Sequence, residues 1–294
     1  MEHIFRTAYA GDLDDSTLVA GAQCGDKAAL EALISKHQEW IYNIALRMVG
    51  NPDDAADVTQ EILVKLMTRL SSFEKRSSFR TWAYRIVVNH ILTMRRRAWE
   101  RLFYSFERQG ALIESLQNAD PGSPQRSPAE EKLLLEETRS GCLTAMLLCL
   151  DRSERIALIL GTLFGVSSAL GGELLETTPE NYRQIVSRSR RRLANFMNEK
   201  CALMNEGNTC RCEKTLHGAA KAGLVNARGP RFRLPWLHRV KDLVAEKAPL
   251  IDAALEMRLQ DLLREQPMYT SPDFKRLIHV ILRRKDVGEI VNFN

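Results

Sequence analysis

Apolar residues recur at helical spacing along nearly the whole chain, and no stretch alternates apolar and polar residues as a half-buried strand would. That feature restricts the fold to packed helices. After Pro52, for example, Ala55, Val58, Ile62, Leu66 and Leu70 fall on one side at about 100° per residue, the stripe of a helix docked on a core. Helices are predicted over 16–24, 27–49, 53–71 and 79–99. The stretch 105–130 holds Pro121, Gly122, Pro124 and Pro128 among polar residues and reads as a linker. Helical patterning resumes from Glu130 to about Leu150, continues to Met197, and returns over 236–285 with a turn near Gln266–Pro272. The expectation is an all-α chain: two helical domains, 16–100 and 130–198, joined by a flexible linker (101–129), and a C-terminal helical extension (199–294) of unassigned role.

A chain of 294 residues supports two or three small cores, and 45% apolar with 27% charged residues is ordinary for a soluble globular protein. No apolar run is long enough to cross a bilayer and no cleavable leader pattern opens the chain, so no membrane insertion and a cytoplasmic location are expected. The net charge of +5 is small, but its distribution is not. Residues 75–101 hold eight Lys or Arg against the single acid Glu100, residues 183–192 hold five Arg and no acid, and residues 52–61 hold Asp53, Asp54, Asp57 and Glu61 and no base. Such blocks imply separate faces for a polyanion and for a basic partner. Catalytic patterns are absent: there is no Gly-rich phosphate loop, hydrolase metal motif or nucleophile elbow. His37, His90, His217, His238 and His279 are scattered without a partner pattern. The chain therefore reads as a non-enzyme needing no cofactor.

Two adjacent segments carry the most specific signal. On the helix 53–70, Asp54, Asp57 and Glu61 share a flank, with Gln60 far from the core. The next helix begins Phe79-Arg80-Thr81-Trp82-Ala83-Tyr84-Arg85-Ile86, passes Asn89, and ends in Arg95, Arg96 and Arg97. Cations interleaved with rings suit single-stranded nucleic acid, because each stacked base contributes roughly 1–3 kcal/mol. The same rings also suit a core, and both readings stand.

Taken in order, Asp54, Asp57, Gln60, Glu61, Phe73, the Phe79–Ile86 run, Asn89 and Arg95–Arg97 resemble region two of sigma-70-type sigma factors, most closely the extracytoplasmic-function (ECF) group. The resemblance implies that Asp54, Asp57, Gln60 and Glu61 bind core RNA polymerase. It implies that the loop Glu74, Lys75, Arg76, Ser77 and Ser78 captures a flipped promoter base. Arg80, Trp82, Tyr84, Arg85, Asn89, Arg95, Arg96 and Arg97 would separate and hold the strands. Flipping a base costs a few kcal/mol of stacking, which a pocket beside cations offsets.

In the second domain, a short helix near Ser167–Leu175 and a turn at Glu176–Thr178 lead into a helix opened by Pro179, with Thr178 as N-cap. This is a helix-turn-helix layout and resembles region four of the same family. The DNA-facing candidates are Glu180, Asn181, Arg183, Gln184, Ser187, Arg188, Arg190 and Arg191. Gly171 and Gly172 make the preceding helix a poor match and a weak helix. The implied function is promoter recognition, melting and transcription initiation with core RNA polymerase, with an anti-sigma factor as a further partner. The alternative is a helix-turn-helix regulator acting beside a separate sigma factor; it does not require the acidic and aromatic-basic pair.

In the extension, Cys201, Cys210, Cys212 and His217 offer four soft ligands, so zinc, a redox-sensitive thiol pair and incidental cysteines all stay open. The apolar stripe over 236–263 needs a permanent partner, and the helix-turn-helix unit is the nearest candidate, which favours a required or stabilising role.

Overall fold

The structure is a computed structural model that describes residues 12–103, 105–118, 127–225, 251–266, 268–274 and Val280. Every regular element among them is helical, and the sole strand-like feature there is an isolated bridge between Cys201 and Cys210. Residues 226–250, which hold much of the predicted C-terminal stripe, lie outside the described residues. The contacts divide the chain into two compact units: residues 1–46, 53–95 and 270–294, and residues 47–52 with 96–269.

The first unit contains α1 (Asp12–Gln23), most of α2 (Lys27–Val49), α3 (Pro52–Arg69) and α4 (Phe79–Thr93). Ala55, Val58, Ile62, Leu66 and Leu70 are all buried, as the helical spacing predicts. Truncating Ile62 or Leu66 to Ala would cost about 2–5 kcal/mol. A buried polar chain ties α1 to α2: Trp40 Nε1 donates to His37 Nδ1 at 2.9 Å, and His37 Nε2 meets Asp15 Oδ2 at 3.1 Å. Gln23 Nε2 donates to the carbonyls of Leu70 (3.0 Å) and Phe73 (2.9 Å), which fixes the single 3-10 turn after α3.

The predicted helix 79–99 stops at Thr93, with Met94 extended. A new helix, α5 (Ala98–Leu102), opens at a capping box in which the Glu100 carboxylate accepts from the Arg97 backbone N–H at 3.1 Å. Glu100 is also drawn into a buried ion pair, so the break lets one side chain serve both.

In the second unit, α6 (Phe106–Gln117), α7 (Pro128–Leu148) and α11 (Cys212–Lys221) share a small core of Leu116, Leu134, Leu216, Ala219 and Val225. The expectation of a flexible linker is thus not met over 106–117, where Ile113 and Leu116 are buried. Residues 119–126 lie outside the described set. The helix-turn-helix follows: α8 (Arg152–Leu158), a π turn (Ile159–Leu163), α9 (Ser168–Leu174) and α10 (Pro179–Lys200). Finally α12 (Ile251–Arg264) packs on α10 and the π turn, burying Leu259 and Leu263.

Arg155 on α8 organises this unit. It is buried, donates to the carbonyls of Leu147 (3.0 Å), Leu148 (3.1 Å), Leu150 (2.9 Å) and Met48, and meets Glu100 at 3.2 Å. Arg152 holds the same carboxylate through two bonds, at 2.8 and 2.7 Å. Burial pushes the Arg155 pKa down to about 10, so it stays charged at neutral pH and depends on Glu100 for compensation.

Candidate polymerase and nucleic-acid interface

The acidic helix begins at Pro52, whose missing N–H costs nothing in the first turn, and Asp53 and Asp54 favour the positive helix end. Asp57, Gln60 and Glu61 are exposed and Asp54 is half-buried. Their outward placement follows from the inward stripe on the same helix. Glu61 also reaches the neighbouring helix. Its carboxylate lies 3.0 Å from Nε2 of buried His90, whose Nδ1 lies 2.7 Å from Lys65 Nζ. His90 thus has partners that the sequence did not disclose, one from each of two turns of α3.

Between α3 and α4 the loop Glu74–Ser78 stands out from the unit. Glu74, Lys75 and Arg76 are exposed, with Arg76 paired to Glu74 at 2.6 Å. Lys75 adopts a left-handed backbone, φ 57°, which a non-glycine residue holds only at a cost and which is frequent at ligand-gripping loops. Ser78 closes the loop as the N-cap of α4, accepting from Thr81 N–H at 3.1 Å.

The rings divide between the two readings the sequence left open. Tyr84 is only 4% exposed, packs against Trp40 with tilted rings at 4.8 Å, and its hydroxyl accepts from Arg80 Nε at 3.2 Å. The Arg80 guanidinium lies over Trp40 and Tyr84 at 5.4 and 5.6 Å. Tyr84 is therefore a core residue rather than an exposed ring for a base, and Arg80 is half-buried over it. Trp82 is half-buried beside Phe73 and Phe79, at 5.1 and 5.6 Å. Arg85 is half-buried near Ser77, whose hydroxyl it meets at 3.5 Å. Asn89, Arg95 and Arg96 are exposed, while Arg97 is half-buried at the start of α5.

On α10, Thr178 accepts from Asn181 N–H at 3.1 Å as N-cap, and Pro179 takes the first turn. The apparent weakness of α9 has a packing reason. A Cβ on Gly171 would lie 2.2 Å from the Tyr182 ring, and one on Gly172 would lie 2.9 Å from the Thr177 carbonyl. Tyr182 fills the space above Gly171 and donates its hydroxyl to the Ala157 carbonyl at 3.1 Å, locking α10 to α8. Glu180, Asn181, Arg183, Gln184, Arg188 and Arg191 are exposed, and Ser187 is half-buried. Arg183 is braced by Glu180 (2.9 Å) and Ser168 (3.1 Å). Arg190 departs from this set: it is half-buried against α12 and lies 3.8 Å from Glu256.

Cys201 and Cys210 are buried, Cys212 and His217 half-buried, and among the described residues no group of three or more His, Cys, Asp or Glu side chains is placed to hold a metal ion. Burial pushes the Cys201 and Cys210 thiols up, and Cys212 to about 11. Thiolate is the form that oxidises readily, and burial disfavours it here. Cys201 and Cys210 instead sit at a backbone bridge that seats α11, with Ala202 N–H donating to the Cys210 carbonyl at 3.2 Å.

Residues 33–101, which contain α3, the exposed loop and α4, match the Sigma-70 region 2 family. Within curated relatives, the RNA polymerase sigma-H factor of Pseudomonas aeruginosa is 40% identical over 75 residues, 26% of this chain and 39% of the relative. The ECF RNA polymerase sigma-E factor of Haemophilus influenzae is 40% identical over 80 residues, 27% of this chain and 42% of the relative. Over this segment the chain is thus similar to region 2 of sigma-70-type factors, and relatives it matches there include extracytoplasmic-function sigma factors. A longer match, 27% identical over 176 residues, is to the ECF RNA polymerase sigma factor SigE of Mycolicibacterium smegmatis, covering 59% of this chain and 64% of that one. The first two alignments span about two-fifths of each relative's length. No helix among the described residues is long and apolar enough to cross a membrane.

Proposed function

We propose that this protein is a sigma factor: it binds core RNA polymerase in the cytoplasm, recognises promoter DNA, opens it and starts transcription, with no catalytic step of its own. The observation that supports this most is the pairing, inside the matched region, of an outward acidic side on α3 with an exposed loop before α4 whose backbone is held left-handed at Lys75. Asp57, Gln60 and Glu61 meet a basic surface of the polymerase. Glu74, Lys75, Arg76 and Ser77 surround an extruded base, with Trp82 beside it, while Asn89, Arg95 and Arg96 hold phosphates. Arg183, Gln184, Ser187 and Arg191 on α10 face upstream duplex, where phosphate contacts would make binding steeply salt-dependent. An anti-sigma protein is the natural antagonist of such surfaces.

The test is run-off transcription by purified core polymerase with this chain on a library of genomic fragments. Discrete start sites that need both proteins are expected. Stimulation only when a separate sigma factor is present would instead identify a helix-turn-helix regulator.

A further inference from the structure

At about 100° per residue, Arg183, Ser187 and Arg190 lie within one narrow sector of α10. Arg183 has 57% of its side chain exposed but Arg190 only 20%. The difference is α12. Glu256 approaches the Arg190 guanidinium at 3.8 Å, and the Gln260 carbonyl, in the amide orientation that satisfies both of its polar atoms, accepts from the same guanidinium at 2.7 and 3.2 Å. Glu256 and Gln260 are one turn apart, so one edge of α12 presents a carboxylate and a carbonyl to a cation aimed at DNA. Leu259 and Leu263, buried on the same face of α12, fasten the helix, and Arg264 Nε reaches the Thr162 carbonyl at 3.5 Å.

We propose that α12 is a built-in competitor of duplex DNA: it occupies the Arg190 flank of the α10 recognition face and offers that guanidinium oxygen atoms in place of a backbone phosphate. This rests on the reading of α10 as DNA-facing and gives the extension a role beyond stabilising the chain. A phosphate can take the Arg190 guanidinium only after α12 lets go. Bound DNA and docked α12 therefore oppose each other, and whatever displaces α12 tightens upstream DNA binding. The contact is suited to a reversible role, because the carboxylate is part-exposed and its pairing is screened by salt.

The experiment uses the full chain and a fluorescein-labelled random-sequence duplex, read by anisotropy. Glu256→Lys should tighten binding roughly fivefold or more. Asp261→Lys makes the same charge change on exposed α12 surface and should tighten it much less. Arg190→Ala should change affinity less than about twofold in the native chain but about fivefold in the Glu256→Lys background, because only there is the guanidinium available. Thermal melts of each variant confirm that the fold is kept, and Leu259→Asp, which should eject α12 by another route, reproduces the tightening. Equal gains from Glu256→Lys and Asp261→Lys would overturn the proposal, since net charge alone would explain them. If Arg183→Ala weakens binding while neither Glu256→Lys nor Leu259→Asp alters it, the competitor role falls and α10 remains DNA-facing. If Arg183→Ala and Arg191→Ala have no effect in any background, the DNA-facing reading falls and takes the competitor with it.

Discussion

The Glu61 carboxylate sits 3.0 Å from Nε2 of His90, a histidine buried on the helix next to its own. Two residues proposed for the same polymerase-binding face are therefore not equivalent: Glu61 also ties α3 to α4, while Asp57 points outward from α3. Asp57→Lys should weaken binding to core polymerase about fivefold or more and leave the melting temperature nearly unchanged, since exposed charges contribute little to folding. Glu61→Lys should lower both, because it sets a cation against His90 and Lys65. Titration with core polymerase alongside thermal denaturation separates the two, and equal destabilisation by both variants would contradict the assignment.

The loop before α4 is expected to act in strand opening rather than initial binding. Lys75→Ala with Arg76→Ala should slow open-complex formation on duplex promoter, and a pre-melted bubble should recover most of the rate. Tyr84→Phe serves as the contrast. It removes the bond from Arg80 and should cost about 1 kcal/mol of stability, while leaving the opening rate of the folded protein unchanged. An equal defect of the loop variant on both templates would reassign these cations to closed-complex binding.

Gly171 carries a packing prediction. A methyl group there meets the Tyr182 ring at 2.2 Å, so Gly171→Ala should destabilise the second unit by about 1–3 kcal/mol despite the better helix propensity of alanine. Chemical denaturation reads the change. A neutral or stabilising result would mean that α9 and α10 are not packed this closely.

Acid should loosen the second unit through Glu100. Burial alone would raise its pKa, but the Arg152 bond, the Arg97 N–H and the nearby Arg155 charge hold it below the usual carboxylate range. A group depressed in the folded state contributes stability that is present above its unfolded pKa, about 4.3, and lost as pH falls through the folded value. Stability should therefore decline below about pH 5 with proton uptake on unfolding. Glu100→Gln should remove this contribution to the acid slope and cost about 3–5 kcal/mol at neutral pH, because Arg155 is left buried without its counter-charge. An unchanged slope in Glu100→Gln would show that other carboxylates carry the acid sensitivity.

The elements that the sequence disclosed were those whose spacing and composition agreed. The α3 stripe, the Pro52 and Pro179 starts and the Thr178 cap are local signals, and the structure contains each of them. What stayed hidden was set by distant partners. α6 was obscured because Pro121, Gly122, Pro124 and Pro128 among polar residues mark the stretch as a linker, while its docking on α11 depends on Gly218, where a Cβ would lie 2.1 Å from the Leu116 carbonyl. Gly171 reads as a weak point of α9 because the Tyr182 ring that requires it lies eleven positions on. For Tyr84, interleaved cations and rings fit both a stacking platform and a core, and only the position of Trp40 decides. The Glu61–His90 and Arg190–Glu256 pairs join residues 29 and 66 positions apart, beyond the reach of any periodicity.

Whether this chain, together with core polymerase, opens promoter DNA is measured directly by permanganate footprinting at a start site found by run-off transcription, because only unpaired thymines react. Reactive thymines are expected just upstream of the start when core polymerase and this chain are both present, and should be lost with Lys75→Ala plus Arg76→Ala. Duplex that stays unreactive, or that opens only after a separate sigma factor is added, would contradict a strand-opening role for this protein.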